Sequence, residues 1–113
     1  MEKFVEQTLL YDFYGELLNE HQRGIYQDIV FDDLSLSEVA DEYGISRQGV
    51  HDLIKRCDKI LSGYEEKLHL VQKFQQTRQM VEDIQERTRA FHETKDESLI
   101  AQIEQISSNI LEL

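Results

Sequence analysis

Residues 34–56 read LSLSEVADEYGISRQGVHDLIKR, and the placement of the small residues in this stretch decides the fold. Two helices meeting at roughly 90–120° across a short turn need a small side chain in the first of them, and Ala40 supplies it. Gly44 follows four residues later, where a tight exit from a helix calls for a left-handed backbone that glycine adopts without steric cost. Ile45 then plugs the turn, Ser46 caps the second helix, and Val50 and Leu53 anchor it. With Val50, Leu53, Ile54 and Cys57 turned inward, the outer face of that helix carries Arg47, Gln48, His51, Asp52 and Lys55. This is a helix-turn-helix pattern.

Arg47, His51 and Lys55 recur at four-residue intervals, so they line one side of the helix. Arginine and glutamine near the start of a recognition helix are the side chains that form bidentate contacts with guanine and adenine edges. Arg47, Gln48, His51, Lys55 and Arg56 are therefore the candidate nucleic-acid-binding residues, with Gly49 and Asp52 interrupting the basic face. Residues 46–59 carry Arg47, Lys55, Arg56 and Lys59 against Asp52 and Asp58, a local charge of +2 inside a chain of net charge −11. The overall acidity opposes phosphate binding, so the distribution of charge matters more than its sum. The alternative is a helix-turn-helix kept as a packing scaffold, with Arg47 and Lys55 as solvated surface charges.

Near the N-terminus, Phe4, Val5, Leu9 and Tyr11 to Phe13 fall at helical spacing, and Gly15 offers a stop. Asn19 followed by Gln22 has the form of a capping box ahead of a helix with Ile25, Tyr26, Ile29 and Val30 on one face, ending near Phe31. Past the polar Asp32 and Asp33, Ser37 can cap the short helix that holds Val39, Ala40 and Tyr43. The helix begun at Ser46 is expected to end near Leu61, before Ser62 and Gly63. From Tyr64 to about Phe91 an apolar stripe runs through Leu68, Val71, Phe74, Val81 and Ile84 without a breaker, predicting one long helix of roughly 45 Å. HETKDES, around residues 92–98, reads as a turn, and Leu99, Ile103, Ile106 and Ile110 form the stripe of a last helix.

The expected fold is thus all-α: a helix-turn-helix bundle over residues 1–62, then a long helix and a C-terminal helix over residues 63–113. Composition agrees. The 113 residues contain no proline, five glycines, 40% hydrophobic and 9% aromatic side chains, enough for one core and no second full domain. No apolar run reaches the roughly 18 residues of a membrane span, and MEKFVEQTLL lacks a signal-peptide pattern, so no membrane association and a cytoplasmic location are expected. The single cysteine, Cys57, suits a reducing compartment and reads as a small core residue.

The stretch NEHQRGIYQDIVFDDLSLSEVADEYGISRQGVHDLIKR resembles the fourth conserved region of bacterial sigma factors, which grips promoter DNA with such a motif. With LLYDFYGELLNEHQ before it and the acidic long helix after it, most of the chain resembles the YlxM family of small bacterial proteins. That resemblance implies a DNA-binding helix-turn-helix protein encoded beside the signal recognition particle GTPase and taking part in its targeting pathway. The DNA-reading role of the sigma motif would carry over to Arg47, Gln48, His51 and Lys55.

His21, His51, His69 and His92 stand singly, without HExxH or cysteine partners, so no metal site is expected. No phosphate-binding loop, nucleophile elbow or triad spacing is present, so neither an enzyme nor a cofactor is expected. Two readings of function remain. One is a DNA-binding regulator, homodimeric through residues 64–113, whose two amphipathic stripes need partners. The other is an accessory that uses its acidic surface to meet the signal recognition particle GTPase or its RNA.

Overall fold

The computed structural model describes residues 2–113. It contains α1 (Lys3–Tyr14), α2 (Glu20–Tyr26), α3 (Leu36–Tyr43), α4 (Arg47–Leu68), α5 (Leu70–Thr94) and α6 (Ser98–Leu111), with no strand among the described residues. The chain is all-α, as its sequence predicts. It divides into two compact units, Met1–Val71 and Gln72–Leu113.

In the first unit, α1 and α2 feed one apolar cluster with α4. Leu10, Tyr14, Leu18, Tyr26, Val30, Cys57, Leu61 and Val71 are its buried members. The helix ends are fixed by local chemistry. Asn19 accepts a hydrogen bond from the Gln22 backbone N–H at 2.8 Å while the Gln22 side chain accepts from the Asn19 N–H at 3.0 Å, the reciprocal cap read from the sequence. Helix α2 then widens into a π turn over Gln27–Phe31. Gly15 does not end α1 with a left-handed residue: its φ is −58° and a 3₁₀ turn, Gly15–Leu17, follows. Its missing side chain matters for another reason, since a Cβ there would lie 2.9 Å from the Tyr11 ring.

Polar groups in this core are satisfied. The Tyr26 hydroxyl donates to Asp58 Oδ1 at 2.7 Å, and Gln7 Nε2 donates to both carboxylate oxygens at 3.0 and 3.2 Å. Burial, and then the Asp58 carboxylate, push the Tyr26 phenol well above its ordinary range. Cys57 is fully buried beside them. Burial lifts its thiol to about 11, leaving about a hundredfold less thiolate than an ordinary cysteine. At pH 8 the native protein should therefore resist a thiol-reactive dye by at least that factor relative to the denatured chain. Equal rates would contradict the burial.

The boundary between α4 and α5 differs from expectation. Helix α4 runs straight through Ser62 and Gly63 to Leu68, and the single helix expected from Tyr64 to Phe91 is broken instead at His69, whose φ is 57°. Tyr14 of α1 and Glu65 of the last turn of α4 hold the break. Tyr14 donates to Glu65 Oε1 at 2.5 Å and accepts from the Leu70 N–H at 3.2 Å, while the same Glu65 oxygen accepts from the Val71 N–H at 3.0 Å. The first N–H groups of α5 are thereby capped across the break. A left-handed histidine is strained where glycine is not. His69→Gly is expected to stabilise the protein by about 0.5–1 kcal/mol in urea unfolding, and a loss of stability would show that the histidine ring contributes more than its backbone costs.

In the second unit, the turn expected at residues 92–98 is present. Lys95 is left-handed, with φ 56°, and its N–H donates to the Phe91 carbonyl at 2.8 Å. Arg87 Nε donates to Gln102 Oε1 at 2.9 Å, linking α5 and α6. No residue of α6 is buried, and Leu99, Ile103, Ile106 and Ile110 are each only partly covered.

Candidate nucleic-acid interface

The candidate site is built on α3, the turn after it and the first half of α4. Helix α3 is capped by Ser35 rather than by Ser37. Ser35 Oγ accepts from the Glu38 N–H at 3.0 Å and Glu38 Oε1 accepts from the Ser35 N–H at 3.1 Å, and only Ser35 has a glutamate at the third helical position. Those bonds hold the Glu38 carboxyl below the usual carboxylate range. Gly44 leaves α3 with φ 68°, in the left-handed region the sequence assigned to it. The Ile45 N–H then donates to the Ala40 carbonyl at 3.1 Å.

Ser46 opens α4 by accepting from the Gly49 N–H at 2.9 Å. A Cβ on Gly49 would stand 3.1 Å from that hydroxyl, so this gap in the basic face leaves room for the cap. Beneath the two helices, Ile25, Val39, Ala40 and Val50 form a second buried cluster, with Leu36, Ile45, Leu53 and Ile54 packed against it. The small side chain at 40 and the apolar anchors thus lie where a helix-turn-helix needs them.

Arg47, Gln48, His51, Lys55 and Arg56 are all exposed. Arg47, Gln48 and His51 share a shallow depression of about 430 Å³ with Leu36 at the start of α3. Lys55 continues the same side one turn on. Arg56 lies about 140° around the axis from His51 at 3.6 residues per turn, beyond Asp52. Two features of this face escaped the sequence reading. Gln48 Nε2 donates to Asp52 Oδ1 at 2.9 Å, and His51 Nδ1 lies 3.6 Å from the same oxygen, so Asp52 holds Gln48 and stands beside His51. Asp58, by contrast, is turned onto Tyr26 and Gln7. The exposed charge of this helix segment is Arg47, Lys55, Arg56 and Lys59 against Asp52 alone. Position on the wheel was the available signal: Asp58 follows the inward Cys57 and sits at the edge of the buried stripe.

Charge is also segregated along the first unit. Residues 1–46 contain two basic side chains, Lys3 and Arg23, against eleven acidic ones, whereas residues 47–71 contain five basic and four acidic. The acidity of the first unit is concentrated in the segment before α4.

A sequence profile for the family described as "Putative helix-turn-helix protein, YlxM / p13 like" matches residues 1–106. The chain belongs to this family. Among curated relatives, the UPF0122 protein of Caldanaerobacter subterraneus subsp. tengcongensis is 48% identical over 83 residues, covering 74% of this chain and 71% of the relative. That of Desulforamulus reducens is 46% identical over 85 residues, covering 74% and 73%, and one from Bacillus cereus is 47% identical over 81 residues, covering 72% and 74%. The YlxM/p13-like description names a helix-turn-helix protein and no enzyme. No helix among the described residues is long and apolar enough to cross a membrane.

Proposed function

We propose that this YlxM/p13-like protein is a non-enzymatic, cytoplasmic DNA-binding regulator that reads duplex DNA with the N-terminal half of α4. The observation that carries the reading is the exposed Arg47–His51–Lys55 line on a helix set across α3 by Ala40, Gly44 and the Ser46 cap. Arg47 and Gln48 would contact base edges, His51 would support them, and Lys55 and Arg56 would meet phosphates. Residues 1–62 act as the helix-turn-helix domain and residues 63–113 as a dimerisation element. Support for the latter is the partly covered apolar stripe of α6, which a second copy would bury. Two copies would then present two such helices to half-sites.

Fluorescence anisotropy with a labelled mixed-sequence duplex at two salt concentrations tests the reading. Arg47→Ala is expected to weaken binding by about 1–3 kcal/mol, roughly 5- to 160-fold. Wild-type binding no stronger than that of Arg47→Ala, or absent at low salt, would refute it.

A second reading is favoured by the charge segregation: the protein acts as an accessory of the signal recognition particle, its acidic α1–α3 surface meeting the basic GTPase while the face of α4 meets the particle's RNA. A pull-down that recovers neither component would remove it.

A further inference from the structure

Beside the helix-turn-helix, the first unit carries a concave site that the α4 reading does not use. Tyr11 and Asp12 of α1, Gln27 and Phe31 of the π turn, and Asp32 line an open depression of about 300 Å³, large enough to take one long side chain. Its aromatic wall is held rigidly. The Tyr11 ring stacks on Tyr26 at 5.5 Å with planes 9° apart, and Phe31 leans on it at 5.1 Å. The Tyr11 hydroxyl is fixed by a 2.6 Å hydrogen bond donated by Gln27 Nε2. Phe31 remains 39% exposed, an apolar ring kept at the surface.

Asp12 and Asp32 among these lining residues are both exposed, and neither has an ion-pair partner among the described residues. Two carboxylates are too few to hold a hard cation, and no group of three metal-ligating side chains occurs among the described residues. Aromatic faces combined with carboxylates instead suit an organic cation. A planar guanidinium stacks on a ring and donates to two carboxylates at once, which an ammonium does less well.

We infer that the Tyr11–Phe31 depression is a docking site for an arginine-bearing basic segment of a protein partner, with the guanidinium over the aromatic wall and between Asp12 and Asp32. Charge complementarity decides the occupant: the site lies in the part of the chain where Lys3 and Arg23 face eleven acidic side chains. The inference deepens the second reading above by locating the surface that a basic partner would use, and it is independent of DNA binding by α4.

The test uses the full chain, ¹⁵N-labelled, titrated with a capped five-residue peptide carrying two arginines around a leucine, and with its lysine and glutamate counterparts. The arginine peptide is expected to shift the amides of Tyr11, Asp12, Gln27 and Phe31, the lysine peptide to bind several-fold more weakly, and the glutamate peptide not at all. Asp12→Asn with Asp32→Asn, both at exposed side chains, is expected to weaken the arginine peptide about tenfold or more, and Phe31→Ala to weaken it with the carboxylates intact. Shifts centred elsewhere, equal binding of the glutamate peptide, or unchanged affinity in the double variant would overturn the site. Capture of the signal recognition particle GTPase separates the two claims. Equal capture by wild type and double variant leaves the second reading standing and removes the groove, whereas peptide binding without GTPase capture does the reverse.

Discussion

Tyr26→Ala is expected to lower the unfolding free energy by about 3–5 kcal/mol, a large share of what a domain of this size has. Tyr26 is fully buried, stacked on Tyr11 and bonded to Asp58. Its removal leaves a cavity between α1, α2 and α4 and takes a hydrogen bond from a partly buried carboxylate. Tyr26→Phe separates the two losses and should cost about 1–3 kcal/mol.

The same residue sets an alkaline limit. The phenols of Tyr14, Tyr26 and Tyr43 are all raised above the ordinary value of 10.0, in each case first by burial. Below pH 10 they are neutral in both states and contribute their full stability. Above it the unfolded chain ionises first, so stability falls as pH rises. Thermal melts at pH 8 and pH 11 should show that fall, and a smaller fall in Tyr26→Phe. A melting temperature that does not change between these values would contradict the buried network.

Ile25→Ala is expected to cost about 2–5 kcal/mol, through a different cluster. Ile25 is fully buried against Val39, Ala40 and Val50, whereas its neighbour Tyr26 serves the α1–α4 core. Consecutive residues of α2 thus tie the helix-turn-helix to the rest of the first unit. Chemical denaturation of Ile25→Ala should reveal the loss with a single transition. A cost below about 1 kcal/mol would mean that the site can collapse around the deletion.

The helix-turn-helix was legible because its determinants are local. A small residue at 40, a left-handed glycine at 44 and caps at 19 and 46 act within a few residues, and all four behave as their sequence context predicts. Ser35 takes the cap from Ser37 on the strength of a glutamate three positions on, a rule the sequence already contained. The break at His69 was not legible. It depends on Tyr14 and Glu65, which are separated by 51 residues and meet only in the folded unit, while Gly63, the local breaker candidate, sits inside a helix whose neighbouring residues Leu61 and Tyr64 pack into the core. The partners of Asp58, Tyr26 and Gln7, are likewise tertiary, although its place at the edge of the buried stripe could be read from the wheel. The exposure of Arg47, Gln48, His51, Lys55 and Arg56 follows from helical periodicity alone.

An amide chemical-shift titration of the ¹⁵N-labelled protein with a mixed-sequence DNA duplex at low salt tests whether the N-terminal half of α4 is a nucleic-acid reader. Shifts concentrated on residues 47–55 and Leu36, and diminished in Arg47→Ala, are the predicted result. No shifts there, or shifts confined to α5 and α6, would contradict it and leave the helix-turn-helix as a packing scaffold.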